Sequence, residues 1–361
     1  MPAVAAVALA TSVLASTPAG ASDRPTASAV SCGQTITHST VLKRDVGPCP
    51  AGGVVVGADN IVLDLHGHRI FGAPSPSSPS GHGAGVYLLD RTGVTVTGGT
   101  VSNFDGGVVI EGGSSNNVVG VTARDNLGGN GTNYGDGILI ESSTGNRIAD
   151  DAAVHNGPFS GIGIVSLVDS DHPRATTGTS SGNQILFNTV ADNNVGRNSV
   201  LDDNDGIRIE PDSTGNVVVG NHVSGSGLDG ISLFKGSGDT VVSANVSTAN
   251  GFDNQVGRHG DGIIVFNLAD GNTVVANRVT GNAANGIQIR GPVGATAGST
   301  DNTIAFNAAL GNSQLPVIPS PVFGATYDLK DANPNCDSNR WLANRSGTAF
   351  PACTTTGLFG L

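Results

Sequence analysis

From residue 107 onward, apolar and polar positions alternate in bursts of two to four residues, punctuated by Gly and Asn. One pattern returns: Gly, then Ile or Val, any residue, an aliphatic residue, then a turn. It reads GVVIE from Gly107, GILIE from Gly137, GIGIV from Gly161, GIRIE from Gly206, GISLF from Gly230, GIIVF from Gly262 and GIQIR from Gly286. A second pattern follows most copies, as in GNRIADDAAVHN, GNQILFNTVADN, GNVVVGNHVSGS, GNTVVANRVTGN and DNTIAFNAALGN. The smallest spacing between Gly landmarks is 24 residues, from Gly206 to Gly230 and from Gly262 to Gly286. Such short alternation predicts short strands and tight turns, with no segment long enough for a helix. A 24-residue unit cannot bury its own inner face, so each coil must stack on the next, about 4.8 Å away, and equivalent residues fall into columns.

Two of those columns are Asn146, Asn183, Asn216, Asn272 and Asn302, and Asn188, Asn221, Asn245, Asn277 and Asn307. They read as turn ladders whose amides hydrogen-bond between coils.

Composition agrees with a thin core. Gly supplies 54 of 361 residues and aromatic residues only 4%, while 38% hydrophobic and 13% charged content is too apolar for a disordered chain. The formal net charge is −12, from 17 Lys and Arg against 29 Asp and Glu, and no basic run occurs. Nucleic acid and an anionic membrane are therefore not expected partners.

Residues 3–16, AVAAVALATSVLAS, are apolar but too short to span a bilayer, and small-x-small triplets follow at Ala19-Gly20-Ala21 and Ala27-Ser28-Ala29. This reads as a secretory signal, a buried N-terminal helix being the alternative. The expected organisation is a signal peptide and disordered leader at 1–29 and one solenoid domain at 30–361. Within the domain, 30–72 holds an N-terminal cap and first coils, 73–312 the central coils and 313–361 a C-terminal cap. The four cysteines, Cys32 with Cys49 and Cys336 with Cys353, suggest one local disulfide near each end and a secreted, extracellular location. Zinc would need closer Cys spacing and nearby His.

The opening CGQTITHSTVLKRDVGPCP with NIVLDLHGHRIFG, the repeats above and the closing CDSNRWLANRSGTAFPAC resemble secreted bacterial right-handed parallel β-helix repeat proteins of the pectate-lyase-like superfamily. The resemblance covers nearly the whole mature chain. It implies an all-β, right-handed parallel β-helix with disulfide-bonded end caps. It does not choose among the polysaccharide lyases, hydrolases, epimerases, adhesins and accessory proteins that share this architecture.

Insertions at 126–135, 192–204 and 251–260 precede Gly-Ile strands and should form one wall; those at 169–182 and 291–300 should form the other. The groove floor would be the outward residues of the strands: Arg208 and Glu210, Ser232 and Phe234, Ile264 and Phe266, Gln288 and Arg290, with Lys235 beside them. Stacked Phe flanked by Arg, Glu and Gln suits the faces and hydroxyls of a polysaccharide or cell-surface glycan; sheet stabilisation is the alternative.

Asp105, Asp136, Asp205, Asp229 and Asp261 each precede Gly at a strand entry. Asp-Gly is commonly a turn. Asp205, Asp229 and Asp261, with His259, are nevertheless the expected acid-base residues, because carboxylates in adjacent coils would lie about 5 Å apart and those two coils apart about 9 to 10 Å. The succession DDNDG, LDG, RHGDG and QIR is distantly similar to the polygalacturonase arrangement. It departs at every motif: no Asn-Thr-Asp occurs, Leu228 and Arg258 replace an Asp and a Gly, and no Lys follows Ile289.

A lyase would use the same groove differently, with Ca²⁺ at Asp202 and Asp203 and Arg208, Lys235 or Arg290 as base. No other cofactor is expected. His66 and His68 could pair on a metal but have no third ligand near in sequence, and one Met with paired cysteines gives copper handling no support. The leading expectation is a carbohydrate-active protein that binds and cleaves or modifies a polysaccharide along its coil face, as a glycoside hydrolase or polysaccharide lyase. The alternative is a non-catalytic extracellular or cell-surface binding scaffold.

Overall fold

The Gly-Ile bursts form short strands such as Ile207–Glu210, Ile231–Leu233 and Ile263–Val265. β-Branched residues suit an extended, half-buried backbone, and the first and third side chains of each strand are sealed from water. Gly precedes the strand because the coil closes tightly there. A Cβ at Gly206 would run into Val223, and one at Gly230 into Ser247.

In the computed structural model of the protein the described residues are 25–74, 83–128, 134–166, 178–194, 205–252, 260–292, 297–314 and 325–355. One coil runs through Ile207–Glu210, Val217–Val219 and His222–Ser224 before the next begins at Ile231. Every strand pairing is parallel; Ile207 lies opposite Ile162 on one side and Ile231 on the other. Among the described residues, twelve strands stack into one sheet, and 21 line the other faces as a second, continuous sheet. A right-handed parallel β-helix results, the hand that right-twisted strands impose on parallel crossovers. No α-helix occurs among the described residues, and none of their helices is long and apolar enough to cross a membrane.

Ile, Val and Leu from all faces meet in a single core running the length of the stack. Ladders fix its corners. Asn245 donates its backbone N–H to Asn277 Oδ1 at 2.9 Å and its side-chain amide to the same oxygen at 3.0 Å and to Val218 O at 2.9 Å. The column through Asn146, Asn183 and Asn216 is joined the same way. A third ladder, absent from the sequence reading, links Asn126 to Asn156 to Asn193 and then Ser226 through Asn250 and Asn282 to Asn312.

Both disulfides form as expected, Cys32–Cys49 and Cys336–Cys353. Thr26–Ser28, assigned to the leader, pairs in parallel with Thr40–Leu42, because its extended Thr-Ala-Ser can add to the sheet's first strand. The segment 313–361 also does more than cap: Leu329–Asp331 and Arg340–Leu342 extend the two sheets by another coil. Trp341 fills its interior and donates Nε1–H to Asp331 at 2.9 Å. The sequence 1–24, which holds the signal reading, lies outside the described residues.

Candidate functional site

Strand alternation turns Arg208, Ser232, Ile264 and Gln288 outward in strict register along the twelve-stranded sheet. This outer face gathers ionisable groups that the sequence places far apart. At its N-terminal end, Tyr87 donates its hydroxyl to Glu111 Oε2 at 2.6 Å, and Glu111 lies directly opposite Glu141 on the next strand. Burial, followed by the charges of Glu111 and Asp136, raises the Glu141 carboxyl to about 8. It therefore holds a proton at neutral pH. Burial and the bond to Glu111 also push the Tyr87 hydroxyl well above its ordinary value.

Arg208 is the hub of the middle coils. Its guanidinium donates to Glu210 at 2.7 Å, lies 4.0 Å from Asp136 and sits over the Phe159 ring at 5.5 Å. Lys235 reaches Glu210 at 3.7 Å.

Asp205, Asp229 and Asp261 form a carboxylate ladder at the strand entry. Asp205 Oδ1 accepts the N–H of Asp229 at 3.0 Å, Asp229 Oδ1 that of Asp261 at 2.6 Å, and Asp261 Oδ1 that of Asn285 at 2.7 Å. One oxygen of each thus serves the fold. Ser232 donates to the second oxygen of Asp205 at 2.5 Å. Burial, then the neighbouring Asp229, raises the Asp205 carboxyl well above its usual range. Asp105 stands outside this ladder: the additional Gly106 puts Val108 opposite Ile138, and Asp105 instead accepts from Gly83 N–H at 2.8 Å.

Beyond Arg208, Phe234 and Phe266 stack at 4.1 Å with an interplanar angle of 14°. Lys235 covers one ring at 4.8 Å and Arg290 the other at 5.6 Å. Gln288 accepts from Asn285 at 3.0 Å. Lys330 closes the row, its ammonium disfavoured by burial. Much of this floor is shielded from water: Glu111 and Glu141 are 2% exposed and Arg208 5%. The Lys235 side chain, half exposed, and the Tyr87 end meet solvent.

His259, Asp202 and Asp203 lie outside the described residues, as do most of the wall insertions. His66 and His68 do not converge; they lie against different aspartates, Asp64 at 3.8 Å and Asp45 at 3.4 Å. Among the described residues no three His, Cys, Asp or Glu are grouped to hold a metal. Of the residues expected from sequence, Arg208 and Lys235 both reach Glu210, while Tyr87, Glu111, Tyr134, Asp136 and Glu141 were not among the expected groups on this face. The signal was present in GVVIE, GILIE and GIRIE, whose final Glu recurs at one repeat position.

Residues 66–256 match the family described as periplasmic copper-binding protein (NosD). No curated protein sequence matches. Among solved structures, the periplasmic alginate epimerase AlgG superposes with a TM-score of 0.54 at 12% identity, over 90% of this chain and 74% of that one. The Dettilon tailspike protein gives 0.52 at 18%, over 85% of this chain and 62% of its own. The A-module of the mannuronan C-5 epimerase AlgE6 from Azotobacter vinelandii gives 0.50 at 14%, over 91% and 89%. At these identities the likeness is one of fold.

Proposed function

The chain belongs to the NosD family, and from its solenoid and ionisable outer face we propose that it works outside the cytoplasm, binding a polysaccharide along that face and cleaving or modifying it by acid-base chemistry. The observation that carries this reading is the buried pair of carboxyls, Glu141 in register with Glu111, which accepts the Tyr87 hydroxyl. Glu141 would donate its proton to a glycosidic oxygen. Glu111, one strand spacing or about 5 Å away along the sheet, is at the separation that retaining hydrolysis uses. Arg208 and Lys235 supply positive charge to an acidic or developing anionic group. Asp205 is the second candidate proton carrier, with Asp229, Asp261 and His259 completing the wider acid-base set; Phe234, Phe266, Gln288 and Arg290 would extend the binding face. In the elimination variant, Arg208, Lys235 or Arg290 withdraws the proton, and Asp202 with Asp203 would hold Ca²⁺.

Among the described residues, the donors do not fit the metal named in the family's description. Copper favours thiolate, thioether and imidazole groups in convergent sets. Here all four cysteines are in disulfides, the one Met is residue 1, and His66 and His68 face separate carboxylates. No step is therefore routed through copper. The shielded floor favours a second reading, a non-catalytic binding scaffold.

The test is incubation of the protein, with and without Ca²⁺, with neutral and uronate polysaccharides, following reducing ends and the absorbance of unsaturated uronate. Reducing ends alone indicate hydrolysis, and added absorbance indicates elimination. Glu141→Gln is expected to lower either signal roughly 100-fold or more, the usual scale for losing a general acid. Silence across the panel would leave the scaffold.

A further inference from the structure

A cavity of about 360 Å³ opens at the N-terminal end of the outer face, between the first coils and the Tyr134 side chain. Its floor is Val55 and Ala84, its margin the backbone of Gly52 and Gly53, and its polar side Tyr87 and Tyr134. A Cβ on Gly53 would collide with the Gly85 carbonyl, so no larger residue could stand there without moving the next coil.

Chemically the cavity is two-sided. Val55, Ala84 and the phenol rings offer an apolar surface, whereas the hydroxyls form a polar edge. Tyr87 spends its proton on Glu111 at 2.6 Å and is also hydrogen-bonded to Tyr134, so these hydroxyls are held in place before any ligand arrives. A ring with one C–H face and an equatorial rim of hydroxyls matches this division. The volume lies at the lower end of the range for small-molecule sites and admits one such ring with its substituents.

We propose that this cavity is a subsite for a single pyranose unit, placed so that the bond leaving that unit runs toward Glu111 and Glu141. The proposal rests on the reading of the face as glycan-binding, and it adds the position and size of one sugar site. Tyr87 and Tyr134 are its binding residues; Val55 determines its depth, since it points outward between Thr35 and Tyr87 in register.

The experiment is saturation-transfer NMR with neutral, amino and acidic monosaccharides and their reduced disaccharides, on the full chain and three variants. The unmodified protein is expected to bind at least one monosaccharide with contact to aromatic protons. Val55→Trp, which fills the cavity, should weaken this at least tenfold, and Tyr87→Phe, which keeps the ring, about threefold to tenfold. His66→Ala, outside the cavity, should bind as before. Thermal melts confirm that each variant is folded, and Tyr87→Phe decides should Val55→Trp fail to fold. Binding without turnover on any polysaccharide would sink the catalytic reading and keep the subsite. Turnover with no monosaccharide binding, or with binding unchanged in both cavity variants, would overturn the subsite and keep the function. Contact by an apolar probe such as cyclohexanol, and by no sugar, would also overturn it.

Discussion

Ile231→Asp is expected to abolish cooperative folding at neutral pH. Ile231 is fully buried, between Ile207 and Ile263 in register, and belongs to the continuous core. The substitution removes about 2 to 3 kcal/mol of apolar burial and leaves a carboxyl that must either ionise in hydrocarbon or hold a proton several pH units above its normal range. Together these cost more than about 5 kcal/mol, comparable to the whole stability of many domains. In a stack where each coil contacts only its neighbours, the break also separates the two halves. Asp229→Asn is the control: Asn285, the next-but-one rung of that ladder, already shows that an amide oxygen accepts the following backbone N–H, from Tyr327 at 2.8 Å. Thermal melts by circular dichroism should show no folded baseline for Ile231→Asp and a transition within a few degrees of the parent for Asp229→Asn. Similar losses in both would mean that core and ladder are not energetically separate.

Asp151→Asn should stabilise the protein, and more so as pH rises. Asp151 occupies the rung that Asn fills at 188, 221, 245, 277 and 307; its Oδ1 accepts the Val121 N–H at 2.6 Å, and its backbone donates to Asn188 at 2.9 Å. In the other rungs the amide nitrogen donates to a carbonyl of the preceding coil, as Asn188 does to Ile148 at 3.1 Å. Asp151 has an oxygen there instead, buried and without a hydrogen-bond partner. Burial is the main cause that raises its carboxyl from 3.8 to about 7; Asp150 adds to the shift, while backbone donors and Arg147 oppose it. A raised folded-state pKa means that stability is fully present below about 3.8 and is lost as pH climbs through about 7. A shift of that size corresponds to roughly 4 kcal/mol above pH 8. The Asn variant should show a higher Tm at pH 8 than the parent, a smaller gain at pH 5, and a flatter pH dependence. A lower Tm at pH 8 would show that Asp151 is better accommodated as an anion than its surroundings indicate.

The stack was legible in the sequence because a coil repeats its needs. Ile207 and Ile231 recur at a position where the side chain points inward, and Asn245 and Asn277 recur where a turn leaves backbone N–H groups to satisfy. The third Asn ladder was harder to see because Ser226 interrupts it and because insertions follow Asn126 and Asn193. The strand-entry aspartates were ambiguous for a physical reason: an Asp before Gly can serve a turn or a reaction, and only coordinates show that Asp205, Asp229 and Asp261 each give one oxygen to the next coil. The cluster at Glu141 was less visible still. Its proton-holding character comes from burial together with Glu111 and Asp136, and neither burial nor the pairing that sets Tyr87 opposite Val109, within reach of Glu111, is written in any local motif.

The central claim is that the outer face carries a carboxyl still protonated at neutral pH. Infrared difference titration of the protein against Glu141→Gln isolates that group through its carboxylic acid C=O band. The account predicts a band absent from the variant that fades only as pH passes about 8. A Glu141 signal already lost by about pH 5, near the ordinary carboxylate range, would contradict it and leave the face without its acid.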